Sequence, residues 1–245
     1  MRVEELEKMY QMEDNYWWFV GRRRLIRALV ERFGAREAAI VDVGCGTGGT
    51  MDALRGLGEL TGADISADAL GFCRERSHRS LVQCRADYLP LRGDSFDVAV
   101  CCDVLEHLED DAGGFAEIVR VLKPGAVMVI SVPAYKWLWG EHDEALSHLR
   151  RYEKREVRAL MKGNGMQEVK LTYAVSLLFP LAVALRLAGK LRKRTGPPQT
   201  QAQELPGLIN RVFIGIQNVE TFVIARWGFP WGASLIAVGR KPIPS

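Results

Sequence analysis

Apolar and polar positions follow two different periods in the middle of the chain. Short runs that are almost wholly apolar predict strands buried on both faces. These runs lie at residues 39–43, 60–64, 81–85, 96–102 and 126–132. The stretches between them carry apolar side chains at helical spacing, at residues 50–57, 67–76 and 112–121. This alternation predicts an α/β fold, a doubly wound domain with a mostly parallel sheet.

The pattern changes on both sides of that region. A helix is predicted at residues 21–33 and another at 154–162, followed by an alternating strand at 167–174. Further on, residues 208–227 have an amphipathic pattern and residues 233–238 predict a last strand, after a polar Pro-Pro linker at 195–204. We divide the chain into an N-terminal helical cap (1–37), a core (38–175), a helical insertion (176–232), and a last strand with a tail (233–245).

Composition places the chain among ordinary globular proteins, with 48% hydrophobic and 26% charged residues in 245. A net charge of +3 is too small to indicate a nucleic-acid partner. The five cysteines form no C-x-x-C pair, and the first residues lack the apolar core of a signal peptide, so a cytoplasmic location is expected.

The longest apolar stretch, residues 174–185, is shorter than the roughly 20 residues that a spanning helix needs. A basic cluster follows it, which is typical of a segment that touches an anionic surface. A lid over an apolar acceptor or a homodimer interface is the first expectation for the insertion. Peripheral membrane contact through residues 174–194 is the alternative.

A glycine-rich loop at residues 40–49, I-V-D-V-G-C-G-T-G-G, lies between a predicted strand and a predicted helix. Glycines let the backbone approach a ligand closely, and this spacing suits either a dinucleotide or an adenosyl cofactor. Asp42 directly precedes the loop, and its carboxylate would repel a pyrophosphate. A ligand with sulfonium and ammonium groups is positively charged and is compatible with that carboxylate.

Four acids fall at the carboxyl ends of successive predicted strands, where open α/β sheets bind ligands. They are Asp42, Asp64, Asp87 and Asp103. A carboxylate at the end of the second strand can hold both ribose hydroxyls, and one after the third strand can accept from an adenine amino group.

Five segments together carry a family resemblance: V-D-V-G-C-G-T-G, G-A-D-I-S, A-D-Y-L-P-L-R-G-D-S-F-D-V-A-V, D-V-L-E-H-L and L-K-P-G-A. Over residues 38–132 the chain resembles class I S-adenosylmethionine-dependent methyltransferases, and more narrowly their small-molecule type 11 or 12 domains. The resemblance implies a Rossmann-like sheet of seven strands whose last strand is antiparallel. It also implies S-adenosylmethionine as methyl donor and S-adenosylhomocysteine as product.

Carried over position by position, the resemblance implies cofactor contacts from the loop, the strand ends and the N-terminal lead-in. The residues are Asp42, Gly44, Cys45, Gly46, Asp64, Ile65, Asp87, Tyr88, Cys102, Asp103, His107, Tyr16 and Arg24. Asp64 would hold the ribose, where the family often has glutamate. Arg22 is an alternative to Arg24 for the carboxylate of the cofactor.

Methyl transfer requires alignment of donor and acceptor and, for a hydroxyl acceptor, loss of a proton. His107, His142 and His148 are the candidate catalytic bases, and a structural role for their segments is an equal alternative. No metal site is expected, because His142, Asp143 and His148 match no metal-ligand spacing.

The sequence thus predicts a methyltransferase that acts on a small-molecule or lipid-linked acceptor, at an oxygen atom. A dinucleotide (NAD) oxidoreductase and a non-catalytic protein that binds S-adenosylmethionine are the alternatives. A nucleic-acid methyltransferase is disfavoured, because C-C-D-V stands where an N-P-P-Y-type tetrad would follow the fourth strand.

Overall fold

A seven-stranded sheet lies at the centre of the computed structural model, which describes residues 3–191 and 205–244. The strands are β1 Ala38–Val43, β2 Gly58–Asp64, β3 Leu81–Gln83, β4 Phe96–Cys102, β5 Leu122–Pro133, β6 Gln167–Ala174 and β7 Ser234–Arg240. The helices are α1 Val3–Glu13, α2 Trp17–Phe33, α3 Gly49–Leu54, α4 Ala67–Glu75, α5 Asp111–Val121, α6 Glu141–Ala145, α7 Lys154–Gly163, α8 Phe179–Leu191 and α9 Gly207–Arg226. Short 3-10 turns lie at Leu105–His107 and Lys136–Leu138.

The strand order is β3-β2-β1-β4-β5-β7-β6, and β7 runs antiparallel to both of its neighbours. The remaining pairs are parallel, so the predicted doubly wound sheet with an antiparallel last strand is confirmed. The order reverses between β1 and β4. In open α/β sheets this reversal opens a crevice at the carboxyl ends of the strands, and ligands bind there.

Apolar side chains cover the sheet on both faces, which explains the continuous apolar runs of the sequence. On one face, Val41 and Val43 of β1 pack with α5 and α7. On the other face, Ile40 packs with α2 and with Ile224 of α9. Helices α2 and α9 therefore cover the same side of the core, although they are far apart in sequence.

The structure extends several of the predicted elements. The helix predicted from residue 21 begins at Trp17, and β5 begins at Leu122, which pairs with Phe96 before the register shifts. The third strand ends at Gln83 rather than residue 85, and Arg85 then bridges to Tyr88. Short apolar runs fix the position of a strand well, but they do not fix its ends.

In the insertion, α8 begins at Phe179, so that Pro180 lies in its first turn. A proline is tolerated there because the first amide groups of a helix have no partner within it. The proline therefore lies at the start of this helix and does not interrupt it. The linker predicted at residues 195–204 lies outside the described residues.

Candidate functional site

The loop between β1 and α3 forms one wall of the crevice at the reversal of strand order. Gly44 and Gly46 have φ values of +73° and +53°, in the left-handed region that favours glycine. A Cβ atom on Gly44 would lie 2.2 Å from Cγ2 of Val104, which follows β4. The backbone of the loop and the end of β4 thus approach closely only because residue 44 has no side chain.

Asp64, at the end of β2, holds this loop in place. Its Oδ2 accepts from the Gly46 amide at 2.9 Å, and its Oδ1 accepts from the Ser66 amide at 2.8 Å. The ribose contact stays a prediction for Asp64. The structure adds a second role, since the same carboxylate fixes the backbone of the loop.

Asp42 lies beneath the loop and is almost wholly buried, with 2% of its surface exposed. Its Oδ2 has no hydrogen-bond partner within the described part of the chain. Burial, opposed by Arg22 and reinforced by Asp64, raises the pKa of Asp42 to about 7. A buried carboxylate without a partner is costly, and the ammonium group of S-adenosylmethionine is a group that would pair with it. The residues present therefore fit this cofactor.

Two apolar side chains stand exposed beside the ends of β2 and β3. Ile65 is 66% exposed and Tyr88 is 74% exposed, so both offer surface that a planar adenine can cover. Asp87 next to them pairs with Arg85 through contacts of 2.8 and 2.5 Å, and these hydrogen bonds lower its pKa. The adenine contact predicted for Asp87 would thus use a carboxylate that already has a partner.

The side chains of Cys45 and Cys102 lie in two different apolar clusters. The Cys45 side chain packs below the loop, with its sulfur 3.9 Å from that of Cys73. A cofactor contact from Cys45 would therefore come from its backbone, and it stays a prediction. Cys102 ends β4 directly before Asp103 and is buried in the apolar layer on the α2 side.

The N-terminal segment closes over the loop through a buried ion pair. Glu13 of α1 accepts from Thr47 Oγ1 at 2.6 Å and from Arg76 Nη2 at 2.8 Å. The carboxyl of Glu13 is 5% exposed, and burial raises its pKa. Sequence reasoning missed Glu13 and Arg76, because each lies in a charged stretch whose pattern indicates only a solvated helix.

Arg22 and Arg24 lie on different faces of α2. Arg22 forms an ion pair with Asp103 at the end of β4, whereas Arg24 donates to Asn218 of α9 at 2.7 Å. Residues two apart on a helix point in nearly opposite directions. The cofactor contact expected of Arg24 is therefore not supported, and Arg22 is the arginine on the crevice side.

Tyr16 immediately precedes α2 and is half-buried, with its ring 5.9 Å from that of Trp17 and 6.1 Å from that of Phe19. These aromatic contacts hold the start of α2 in place. A cofactor contact from Tyr16 stays a prediction.

The three candidate bases come together beyond Asp103. The ring centroids of His107 and His148 are 4.8 Å apart, and those of His142 and His148 are 6.3 Å apart. Burial, together with the charge of Arg186, lowers the pKa of His142 to about 4. Burial and the neighbouring His148 also lower the pKa of His107. The imidazoles of His107 and His142 are therefore neutral at neutral pH.

Asp143 organises the segment that carries two of these histidines. Its carboxylate accepts from Arg151 Nε at 2.7 Å, from Arg186 Nη1 at 2.9 Å, and lies 3.0 Å from His148 Nδ1. Burial opposes ionisation, but the hydrogen bonds from His148 and Arg151 hold the pKa of Asp143 well below its usual range. Both roles weighed for this segment, structural and chemical, are thus compatible with its geometry.

Glu106 lies in the turn between Asp103 and the histidines, and the sequence did not single it out as a site residue. Its side chain is 0% exposed, and burial together with the charge of Asp103 raises its pKa well above the usual range. One donor atom each from Glu106, His107 and His148 lies within 4.8 Å of the others.

Comparison with known proteins shows which proteins this chain is similar to. The family model described as a methyltransferase domain matches residues 41–130. A probable S-adenosylmethionine-dependent methyltransferase from Mycolicibacterium smegmatis is 30% identical over 164 residues, which are 63% of this chain and 61% of that protein. A ubiquinone biosynthesis O-methyltransferase from Thiobacillus denitrificans is 35% identical over 100 residues, which are 38% of this chain and 43% of that protein. Such matches span less than two thirds of the relatives' length.

Among solved structures, an S-adenosylmethionine-dependent methyltransferase from Thermotoga maritima aligns with a TM-score of 0.64. The alignment covers 98% of this chain and 96% of that one at 18% identity, which shows a shared fold. The fold is that of the class I S-adenosylmethionine-dependent methyltransferases with which the chain aligns. Residues 41–130 of this chain match the family model of that methyltransferase domain.

Proposed function

We propose that the protein transfers the methyl group of S-adenosylmethionine to an oxygen atom of a small-molecule acceptor. The observation that carries this proposal is the group of histidines beyond Asp103. His107, His142 and His148 come from two separate segments, and their rings lie close together. A hydroxyl acceptor must lose its proton during methyl transfer. An imidazole that is neutral near pH 7 can accept that proton.

The remaining residues bind and orient the donor. Asp42 would pair with the cationic end of the methionine portion, and Arg22 is held beside the crevice by its ion pair with Asp103. When bound, the cofactor supplies an already activated methyl group. The protein therefore contributes alignment of the acceptor oxygen with the methyl carbon, and exclusion of water by α1 and α2.

Two observations support an apolar or lipid-linked acceptor. The relative from Thiobacillus denitrificans is named for ubiquinone biosynthesis and for transfer to oxygen. In addition, α9 presents an exposed apolar stripe at helical spacing. The stripe consists of Leu208, Val212, Val219 and Phe222, which are 75%, 52%, 59% and 55% exposed.

The helix α9 has the length and composition of a membrane span, with a hydropathy of 1.2, and 17% of that window is buried within the described residues. Its inner face packs against α2 and carries the buried Glu220, which accepts from the amide of Ser176 at 3.0 Å. A helix anchored in this way suits contact with a bilayer surface better than insertion. We propose such contact for this stripe and for the basic segment that follows α8 in the sequence.

Transfer is tested with labelled S-adenosylmethionine and a panel of catechols, phenols, amines and thiols, each with and without an isoprenoid chain. We expect label in the hydroxyl acceptors and a preference for those with the chain. His148→Ala should lower the rate by about 10²–10⁴-fold. Leu149→Ala is the control, because Leu149 directly follows His148 but its side chain is 51% exposed. Label found only in amines or thiols, or no binding of S-adenosylhomocysteine, would contradict the proposal.

Membrane contact is tested by sedimentation with vesicles of phosphatidylcholine, with and without phosphatidylglycerol. We expect binding to the anionic vesicles, and loss of that binding in Val212→Glu. The matched control is Val3→Glu on α1, where the valine is similarly exposed at 45%. Equal binding by both variants, or a homodimer in solution that only Val212→Glu dissociates, would assign the stripe to another partner.

A further inference from the structure

Three side chains at the acceptor end of the crevice form a cluster of metal-binding type. Glu106 and His107 lie in the 3-10 turn that follows β4, and His148 lies beyond α6. Their donor atoms lie within 4.8 Å of one another. The amide of Leu149 donates to the Glu106 carbonyl at 2.8 Å, so the backbone itself holds the two segments together.

The carboxyl group of Glu106 has no hydrogen-bond partner among the described residues. Its side chain is 0% exposed, and across residues 3–191 and 205–244 neither carboxylate oxygen has a hydrogen-bond partner. Buried polar groups in folded proteins are nearly always hydrogen-bonded, because leaving one unpaired costs about 1–3 kcal/mol. A bound cation at this position would supply the missing partner.

Both imidazoles are oriented as metal ligands are. In metal sites the second ring nitrogen of a histidine usually donates to a carboxylate or a backbone carbonyl. Here His148 Nδ1 lies 3.0 Å from Asp143 Oδ1, which leaves Nε2 for a ligand. His107 has a hydrogen bond to the backbone of Ser147. Asp143 is in turn fixed by Arg151 and Arg186, so it acts as a positioning residue for His148.

We propose that Glu106, His107 and His148 bind a divalent transition-metal cation, such as Zn²⁺ or Mn²⁺. Two imidazoles and one carboxylate are a ligand set typical of such ions and leave coordination positions open, whereas Mg²⁺ prefers oxygen ligands. Opposed ligands on one ion lie at most about 4.2 Å apart, so modest side-chain rotation brings the three donors to bonding distance. The sequence suggested no metal, because it offered only His142, Asp143 and His148 as a group.

The role of the cation rests on the proposed function. An acceptor hydroxyl bound to it would lose its proton more readily, and the proton would pass to solvent. The oxygen then forms the new bond to the methyl carbon while the bond from that carbon to sulfur breaks. The sulfonium becomes the neutral thioether of S-adenosylhomocysteine. His107 and His148 act in this arrangement as ligands, and the cation takes over the task of weakening the O–H bond.

The test measures metal binding without cofactor or acceptor. Protein stripped with a chelator is titrated with Co²⁺, and the visible d–d absorption of the bound ion is followed. We expect saturation at one ion per chain, displacement by Zn²⁺, and affinity lower by about 100-fold or more in Glu106→Gln and His148→Ala. His142→Ala is the matched control, since His142 lies near His148 but outside the cluster, and it should bind Co²⁺ as the unmutated protein does.

Glu106→Gln keeps the shape of the side chain, and its fold is checked by circular dichroism and by binding of S-adenosylhomocysteine. Absence of saturable Co²⁺ binding, or undiminished binding by the two ligand variants, overturns the metal site. Methyl transfer is then measured with and without the ion. Transfer without metal binding overturns this inference only, whereas metal binding without any transfer overturns the proposed function only.

Discussion

Replacing Asp42 by asparagine removes a carboxylate that the fold keeps away from water. The side chain is 2% exposed, and burial raises its pKa from an ordinary value of 3.8 to about 7. In the unfolded chain the pKa of this carboxyl returns to the ordinary value of 3.8. Above pH 7 the folded protein therefore carries a buried charge that the Asp42→Asn variant lacks.

The sign of the effect follows from these two pKa values. Below the lower value the carboxyl is protonated in both states, so it contributes nothing to the free energy of unfolding. Between them the unfolded state loses its proton first, so stability falls as pH rises, and it levels off above pH 7. A difference of roughly three pKa units corresponds to about 4 kcal/mol. We expect Asp42→Asn to exceed the unmutated protein by about that amount at pH 8 and by almost nothing at pH 4.

Cofactor binding has the opposite dependence. The cationic ligand favours the ionised carboxylate, so S-adenosylmethionine should bind the unmutated protein about tenfold more weakly at pH 6 than at pH 8. Asp42→Asn should bind weakly at both values. Urea unfolding measures the stability difference, and calorimetry in two buffers of different ionisation enthalpy measures the released proton. If the variant is the less stable protein at pH 8, or if both proteins share one pH dependence of binding, Asp42 does not carry this charge.

Three further variants test the crevice. Gly44→Ala would place its Cβ 2.2 Å from Val104, and we expect stability lower by about 1–3 kcal/mol in thermal unfolding, with S-adenosylhomocysteine affinity reduced. Arg76→Ala breaks the buried ion pairs that tie α1 to the loop, and urea unfolding should show a loss of about 3 kcal/mol. Arg22→Ala should weaken S-adenosylhomocysteine binding in calorimetry, whereas Arg24→Ala, on the opposite face of α2, should leave the affinity unchanged.

The cofactor end of the site could be predicted because its residues are local to strand ends. Asp42, Gly44 and Asp103 each follow directly from an apolar run, and parallel strands bring their carboxyl ends to one edge. The sequence could therefore place them without knowing any long-range contact. What it could not show is that Asp64 holds the loop through the Gly46 amide, because that contact depends on the exact path of the backbone.

The acceptor end could be predicted only in part, because it is assembled by long-range contacts. His148 reaches Glu106 because the segment after β5 folds back and because Arg186 of α8 holds Asp143. The hydrophobic periodicity of the sequence does not show that this segment folds back. The same limit explains why the sequence favoured Arg24 over Arg22 for the cofactor contact. A basic residue on an amphipathic helix can face either the crevice or α9.

Two buried carboxylates share one feature that links the ends of the crevice. Asp42 and Glu106 each keep a carboxylate oxygen without a hydrogen-bond partner in the described chain. Burial raises the pKa of both, and the positive charge of Arg22 opposes that rise. Arg22 pairs with Asp103, and neither Asp42 Oδ2 nor the Glu106 carboxylate receives a hydrogen bond from it within the described residues. Because unpaired buried carboxylates are costly, their presence at both ends supports the proposal that cationic groups of ligands complete the site. The methionine ammonium group would pair with Asp42, and the proposed metal ion would pair with Glu106.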